Sequence, residues 1–268
     1  MKHSKFCIVV LTLVMVFLYL PIVVLILNSF NESKFGGEWA GFTLNWYQAL
    51  FSARNREIWL SFERSLLVAG VATFGSCMLG TTAAMALHRW KDRLQTSHYA
   101  LIYTPLVMPE ILMGISLLMM FTALGFQCGM ATIMIAHVTF CVSYVTMTVL
   151  ARLQDFDDRI TEAAYDLGAG PFYTFWHVTL PILLPGIVAG GLLAFTLSID
   201  DFVITFFVTG PGADTLPLKI YSMIKHSRQM PVINALSTLM LAFTCLLVGV
   251  SRIVANYRIR HQPNKSRR

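Results

Sequence analysis

The sequence predicts an all-α membrane protein, and three observations carry that prediction. Hydrophobic residues make up 56% of the 268-residue chain and charged residues only 13%, against roughly 45–50% apolar and about 25% charged in ordinary soluble domains. Mean hydropathy is correspondingly high at +0.65. The apolar residues gather into six runs, each long enough for a bilayer core that takes about 20 residues of helix. The polar stretches between the runs are too short for a soluble domain, so residues 1–268 are expected to form a single transmembrane domain.

The first run, 6–27, follows the basic start Met1-Lys2-His3-Ser4-Lys5. Its apolar core exceeds the roughly 7–15 residues of a signal peptide and no small-x-small cleavage site follows, so it is read as a retained first span. Runs 65–87 and 99–123 give the second and third spans, the third carrying Pro105, Pro109 and Glu110. The fourth, 131–150, contains His137, read as a satisfied interhelical residue ahead of a ligand or proton carrier. The fifth, 183–207, contains Asp200 and Asp201, and the sixth is 232–250. Cys7, Cys77, Cys141 and Cys245 lie inside runs and Cys128 near a short turn; they read as small apolar packing residues, with no pair arguable as a bridge.

If the amino terminus is cytoplasmic, the inside segments hold 13 of the 20 lysines and arginines and the outside segments 7. The positive-inside rule therefore places both termini in the cytoplasm. The net charge of +6 is then a matter of topology and of anionic lipid at the inner leaflet, and the chain shows no nucleic-acid motif.

The first outside loop, 28–64, is rich in aromatic residues, among them Trp39, Phe42, Trp46, Tyr47 and Phe51. Positions 46, 47, 50 and 51 fall on one face of a short helix. Such a helix lies at the headgroup level and seats the first two spans, or offers a docking surface; the two roles are compatible.

The inside loop 152–182 interrupts the apolar pattern. Gln154-Asp155-Phe156-Asp157-Asp158 is a helix entry, its carboxylates placed to cap and to complement the helix dipole. A short helix over 160–167 follows and Gly168 supplies its C-cap. Gly170-Pro171 turns the chain into a second short helix over 172–178, before Leu180-Pro181 enters the membrane. Ala163, Ala164 and Leu167 make an apolar patch on the first helix, and Phe172, Phe175 and Trp176 add aromatic bulk on the second. Exposed apolar surface of this kind serves a partner protein, while the same residues would also suit packing beneath the chain's own bundle.

Three carboxylates interrupt the spans: Glu110, Asp200 and Asp201. A charge at the bilayer centre costs at least ~2.5–3.5 kcal/mol, so these side chains are expected to face a bundle interior or an aqueous cavity. At 1.5 Å rise per residue Glu110 lies about 16 Å along its span from Tyr99, and Asp200 about 26 Å from Leu183, as stations on a path. Pro105 and Pro109 free backbone carbonyls around Glu110, which is tolerated only beside protein or water. The structural alternatives are that Glu110 partners a buried His or Arg or is a protonated acid bonded to backbone. For Asp200 and Asp201 the structural alternative is that, because adjacent residues cannot face one way on a helix, one of the two serves only to cap or to bond to a neighbouring helix, against the reading in which both line the path.

Glu162-Ala163-Ala164, three residues, Gly168, nine residues, then Val178-x-Leu180-Pro181 resembles the EAA loop of ABC importer membrane subunits, with Val178 in place of isoleucine. The similarity extends along the chain. Asn28-Ser29-Phe30-Asn31, Phe42-Thr43-Leu44-x-Trp46-Tyr47, Ser198-Ile199-Asp200-Asp201-Phe202, Phe207-Val208-Thr209-Gly210-Pro211 and the stretch from Leu216 to Met223 look like the second permease subunit of spermidine/putrescine importers. The resemblance implies the six-helix type I ABC importer permease architecture in a bacterial inner membrane. It further implies a heterodimer with a sister permease, two copies of a cytoplasmic ABC ATPase and a periplasmic substrate-binding protein. Glu162, Ala163, Ala164, Asp166 and Gly168 would then couple ATPase motion to the membrane helices. By its spacing alone, apart from the resemblance, Gly186-x-x-x-Gly190 allows close helix approach and is read as a face for a second permease subunit.

The chain has no G-x-x-x-x-G-K-[ST] and no Gly followed by Lys, so ATP and Mg are expected on the partner ATPase and no cofactor on this chain. A polyamine, with several charges on a flexible apolar stem, suits carboxylates spaced along a path with aromatic rings nearby for cation–π contact. Other readings keep the importer and change its cargo to another cation, an iron complex or an amino-acid-like solute. A proton-coupled secondary transporter would be expected to show an internal repeat, and none is convincing. An intramembrane enzyme would need a nucleophile–base pair or a metal-ligand His cluster beside the aspartates, which the sequence does not offer.

Overall fold

Lipid offers no partner to backbone polar groups, so a chain that lives in it satisfies each N–H within its own segment. Accordingly, every regular element among the described residues is a helix, beside one isolated antiparallel bridge between Asn31 and Phe42. The structure is a computed structural model and describes residues 5–33, 38–90, 93–154, 156–157, 159–226 and 230–242. Lys2, Lys34, Lys91, Asp155, Asp158, Arg228, Cys245, the sixth run beyond Ala242 and the basic stretch from Arg252 to Arg268 lie outside the described residues.

The chain forms two compact units, Met1–Glu57 with Ile220–Arg268, and Ile58–Lys219. In the first, α1 (Lys5–Ser29) is apolar on every side and buries none of its central window, as a helix facing lipid does. Asn31 organises the segment after it. Its Nδ2 donates to the Glu38 carbonyl at 2.8 Å, and its Oδ1 accepts from the Ser33 and Ala40 amides at 3.1 and 3.0 Å. The Trp46 indole donates to the Asn31 carbonyl at 2.7 Å, and Phe30 stacks on Phe42 at 5.4 Å and lies tilted against Tyr47 at 5.3 Å. The expected short helix is α2 (Asn45–Leu50). Its face points inward, however: Leu50 is fully buried and Tyr47 bonds to Ser29, so 46, 47 and 50 pack within the segment that follows α1, while Trp39, Phe42 and Phe51 are exposed.

The second unit takes in most of α3 (Arg56–Arg89), then α4 (Gln95–Val107), α5 (Glu110–Ala123), α6 (Met130–Gln154), α7 (Arg159–Asp166), α8 (Pro171–Thr174), α9 (Leu180–Ile199) and α10 (Val203–Val208). Two further helices are α11 (Leu216–His226) and α12 (Met230–Ala242). Within the second unit α6 packs chiefly on α9, and α5 on α10. Lipid tails are as apolar as leucine, so contact between spans comes from close approach at small residues. A Cβ on Gly80 would stand 2.9 Å from Val145 Cβ, one on Gly190 3.2 Å from Val145 Cα, and one on Gly186 3.0 Å from Arg152 Cβ. Gly186 and Gly190 therefore seat α9 on α6 of the same chain and are not available to a second subunit, against expectation. Gly190→Val overpacks this contact and is expected to cost about 1–3 kcal/mol, read as a lower midpoint of thermal inactivation of the purified protein, whereas Leu192→Ala on the exposed face of α9 leaves the midpoint in place.

Among the described residues four helices are long and apolar enough to cross a membrane, or five if α4 and α5 count as one broken span. Run 99–123 is not a continuous helix: Met108 is extended, Pro109 precedes α5, and the axes of α4 and α5 meet at 110°. Proline disfavours helical backbone at the residue before it and brings no N–H of its own, which ends α4 there. Counting rise along one helix from Tyr99 to Glu110 is thereby ruled out. Run 183–207 also divides, between Ile199 and Val203. The second loop helix expected over 172–178 is not separate, since Pro171–Ile199 is helical throughout with a π turn at Phe175–Thr179. Pro181 has no N–H for the His177 carbonyl, and the wider turn before it, where the Leu180 N–H reaches back to Phe175 O, absorbs the missing bond.

Candidate functional site

Two regions combine exposed or charged chemistry with a built geometry. The first is the loop between α6 and α9. Asp157 starts α7, its Oδ1 accepting from the Arg159 amide and its carbonyl from the Ile160 amide, each at 3.1 Å. The helix closes in a Schellman motif: the Gly168 N–H bonds to Tyr165 O at 2.8 Å and the Ala169 N–H to Ala164 O at 3.0 Å, with Gly168 at φ +81°. An added Cβ there would meet nothing within 4 Å, so glycine is needed for its left-handed backbone and not for space.

Glu162, Ala163, Asp166 and Gly168 are exposed and Ala164 is half-buried. Leu167 is 89% exposed, Phe172 82% and Trp176 61%, while Phe175 turns inward. Tyr173 stacks on His177 with centroids 4.1 Å apart. Beneath the loop a cavity of about 680 Å³ opens between Met85 and Arg89 of α3, Leu153 of α6, and Glu162 and Tyr165 of α7. Of the two uses left open by the residues alone, packing under the bundle accounts for Phe175 but not for Leu167, Phe172 and Trp176, which point away from it.

The second region surrounds the break between α9 and α10. Asp200 is exposed. Asp201 turns inward with its side chain only 5% accessible, and its Oδ2 lies 3.3 Å from His137 Nε2. The Thr205 amide and hydroxyl donate to Oδ2 at 2.9 and 2.8 Å, and the Ile204 amide reaches Oδ1 at 3.3 Å. This is helix capping: an acceptor three and four residues ahead of the first free amides, at the positive end of the dipole of α10. His137, fully buried, is held between Ser198 Oγ on Nδ1 at 2.7 Å and Thr205 Oγ1 on Nε2 at 2.9 Å. Because the Thr205 hydroxyl already donates to Asp201, it can only accept from the ring, which assigns a hydrogen to Nε2.

Sequence reasoning had Asp201 and His137 separately, the latter as a satisfied interhelical residue, and the structure joins them. It had not singled out Ser198 or Thr205. The Asp201–Thr205 spacing of four was the available signal; the partner of Ser198 lies across a tertiary contact that spacing does not encode. Glu110 is exposed as the first residue of α5, a helix apart from both aspartates. α5 and α10 approach closely nonetheless, since a Cβ on Gly114 would lie 2.6 Å from Phe207 Cδ2.

Residues 76–260 match the binding-protein-dependent transport system inner membrane component family. The chain is 40% identical over 245 residues to the spermidine/putrescine transport system permease protein PotC of Escherichia coli (strain K12), covering 91% of this chain and 92% of that one. It is 42% identical over 262 residues to the putrescine transport system permease protein PotI of the same strain, covering 95% and 91%. Among solved structures it is similar to a bacterial ABC transporter involved in the import of the acidic polysaccharide alginate, with a TM-score of 0.68 at 14% identity over 95% of this chain and 94% of that one, a likeness of fold alone. An all-helical chain with repeated apolar spans, an exposed EAA-type loop and these relatives belongs to the binding-protein-dependent transport system inner membrane components, and is a transport subunit of the ABC permease kind.

Proposed function

We propose that this chain is the membrane subunit of an ATP-driven polyamine importer that takes up spermidine, putrescine or both. The observation that carries the reading is identity of 40–42% across more than nine-tenths of the chain to permeases named for those solutes. In this reading the whole chain works as one permease domain with both termini in the cytoplasm. It pairs with a sister permease, is driven by two copies of a separate cytoplasmic ATPase and receives cargo from a periplasmic binding protein; a related fold is known in complex with a periplasmic protein.

Glu110 and Asp200, both exposed, contact the cationic cargo directly, and Asp201 contributes by fixing the helix break that presents Asp200. Glu162, Ala163, Ala164, Asp166 and Gly168 dock in the ATPase. The test is ATP- and binding-protein-dependent uptake of labelled putrescine and spermidine by vesicles holding all partner subunits. Glu110→Gln and Asp200→Asn each remove one charge-assisted contact and are expected to lower uptake about tenfold or more without loss of assembled complex. An assembled complex that hydrolyses ATP and moves neither polyamine overturns the cargo assignment.

A further inference from the structure

One side chain spans the break between α9 and α10. His137, fully buried on α6, pairs through Nδ1 with Ser198 in the last turn of α9 at 2.7 Å and through Nε2 with Thr205 in the first turn of α10 at 2.9 Å. The same Nε2 lies 3.3 Å from Asp201 Oδ2. The two nitrogens of a rigid, planar ring therefore hold both sides of a gap that runs from Ile199 to Phe202, and the exposed Asp200 sits inside that gap.

Each helix has a further seat on α6, and both seats lie away from the break. The Thr132 hydroxyl is 2.8 Å from the Val208 carbonyl, at the far end of α10. Gly190 rests on Val145, about 12 Å back along α9 from Ser198 at 1.5 Å rise per residue. The Cys141 thiol reaches the Ala194 carbonyl at 3.6 Å, one turn before Ser198, and a thiol is a weak donor. What the imidazole adds is a fixed separation between the Ser198 and Thr205 ends, and with it the direction in which the Asp200 carboxylate leaves the chain. A binding group is productive only while the shell behind it holds its geometry.

We propose that His137 is a positioning residue for solute passage, which touches no cargo and acts by holding the break so that Asp200 meets the cation. This deepens the polyamine reading and rests on it, since there Asp200 contacts the cargo.

Two substitutions each keep one half of the bracket. Asparagine puts its amide where Nδ1 stands and still pairs with Ser198; glutamine puts its amide nitrogen where Nε2 stands and still donates to Thr205 and Asp201. The measurement is uptake of labelled putrescine at saturating binding protein, per assembled complex, by vesicles holding all partner subunits, with His137→Asn and His137→Gln each made in the wild-type and Asp200→Asn backgrounds. In the wild-type background each is expected to lower uptake about fivefold, the size of one lost hydrogen bond. In the Asp200→Asn background each should add no more than about a twofold loss, because the group being positioned is gone. The same fold loss in both backgrounds overturns the proposal, since a residue that only stabilises the fold acts whether or not Asp200 is there. Full uptake in either single variant also overturns it, by showing that half the bracket suffices. Unchanged uptake in Asp200→Asn alone overturns the cargo role of Asp200 and this inference together, whereas lowered uptake there beside normal uptake in the His137 variants overturns the inference and leaves the cargo role standing.

Discussion

Gly168→Asp is expected to reduce ATP-coupled uptake by about ten- to a hundredfold while the protein still inserts and assembles. The left-handed backbone at φ +81° costs a side-chain-bearing residue about 1–2 kcal/mol, and a carboxylate at the negative end of the α7 dipole adds about 0.3–1 kcal/mol. Nothing stands within 4 Å of the new Cβ, so the bundle is not disturbed. What changes is the closing turn of α7, and with it the direction in which Leu167 and the chain into Phe172 leave the helix. Gly168→Asn isolates the charge, because asparagine and aspartate both visit the left-handed region and differ in the carboxylate. It should retain several times the uptake of Gly168→Asp; equal loss in both would show that the added side chain, and not its charge against the α7 dipole, is what coupling rejects. ATP hydrolysis measured beside uptake distinguishes uncoupling from failure to assemble.

The α7 turn also shows what is legible in a sequence of this kind. Gly168 is readable because its role is local: a helix of eight residues, a C-cap glycine and a following Gly-Pro determine one another over a dozen positions. The lipid-facing spans are readable for a similar reason, since the bilayer imposes length and apolarity on each helix separately. Pro109 announces a break, but the 110° turn at α4–α5 depends on where α5 finds its partner, and Gly114 against Phe207 of α10 is that partner. Likewise the spacing Gly186-x-x-x-Gly190 marks a close approach without naming what approaches. Val145 and Arg152 of α6 occupy that face, and in a chain of several similar helices the choice among partners is a property of the whole packing.

The carboxylates divide along the same line. A charged residue in an apolar run marks itself as exceptional, and all three were visible. Which of an adjacent pair turns inward was not, because both satisfy the same local pattern; the inward one is whichever finds donors. For Asp201 those are two amides and a hydroxyl of α10 and the ring of His137 on α6, a set assembled from positions 64 residues apart in sequence and more.

That set carries a large expected effect on stability. His137→Leu takes the ring donor from Asp201 and leaves the buried Ser198 hydroxyl without its ring partner, which is expected to cost about 1–3 kcal/mol for each group orphaned and to appear as loss of folded protein on mild heating in detergent. Asp201→Asn is expected to be far milder, near 1 kcal/mol, for a geometric reason. With its amide oxygen in the Oδ2 place, asparagine still accepts from the Thr205 amide, the Thr205 hydroxyl and His137 Nε2, and its NH₂ opposes only the long 3.3 Å contact from Ile204. The double substitution His137→Leu with Asp201→Leu removes both partners together and should be less harmful than the two single losses added, since neither group is then left facing a missing partner. Additive losses in that cycle would mean that the imidazole and carboxylate stabilise the fold independently, and that the Asp200–Phe202 break is held by capping of α10 alone.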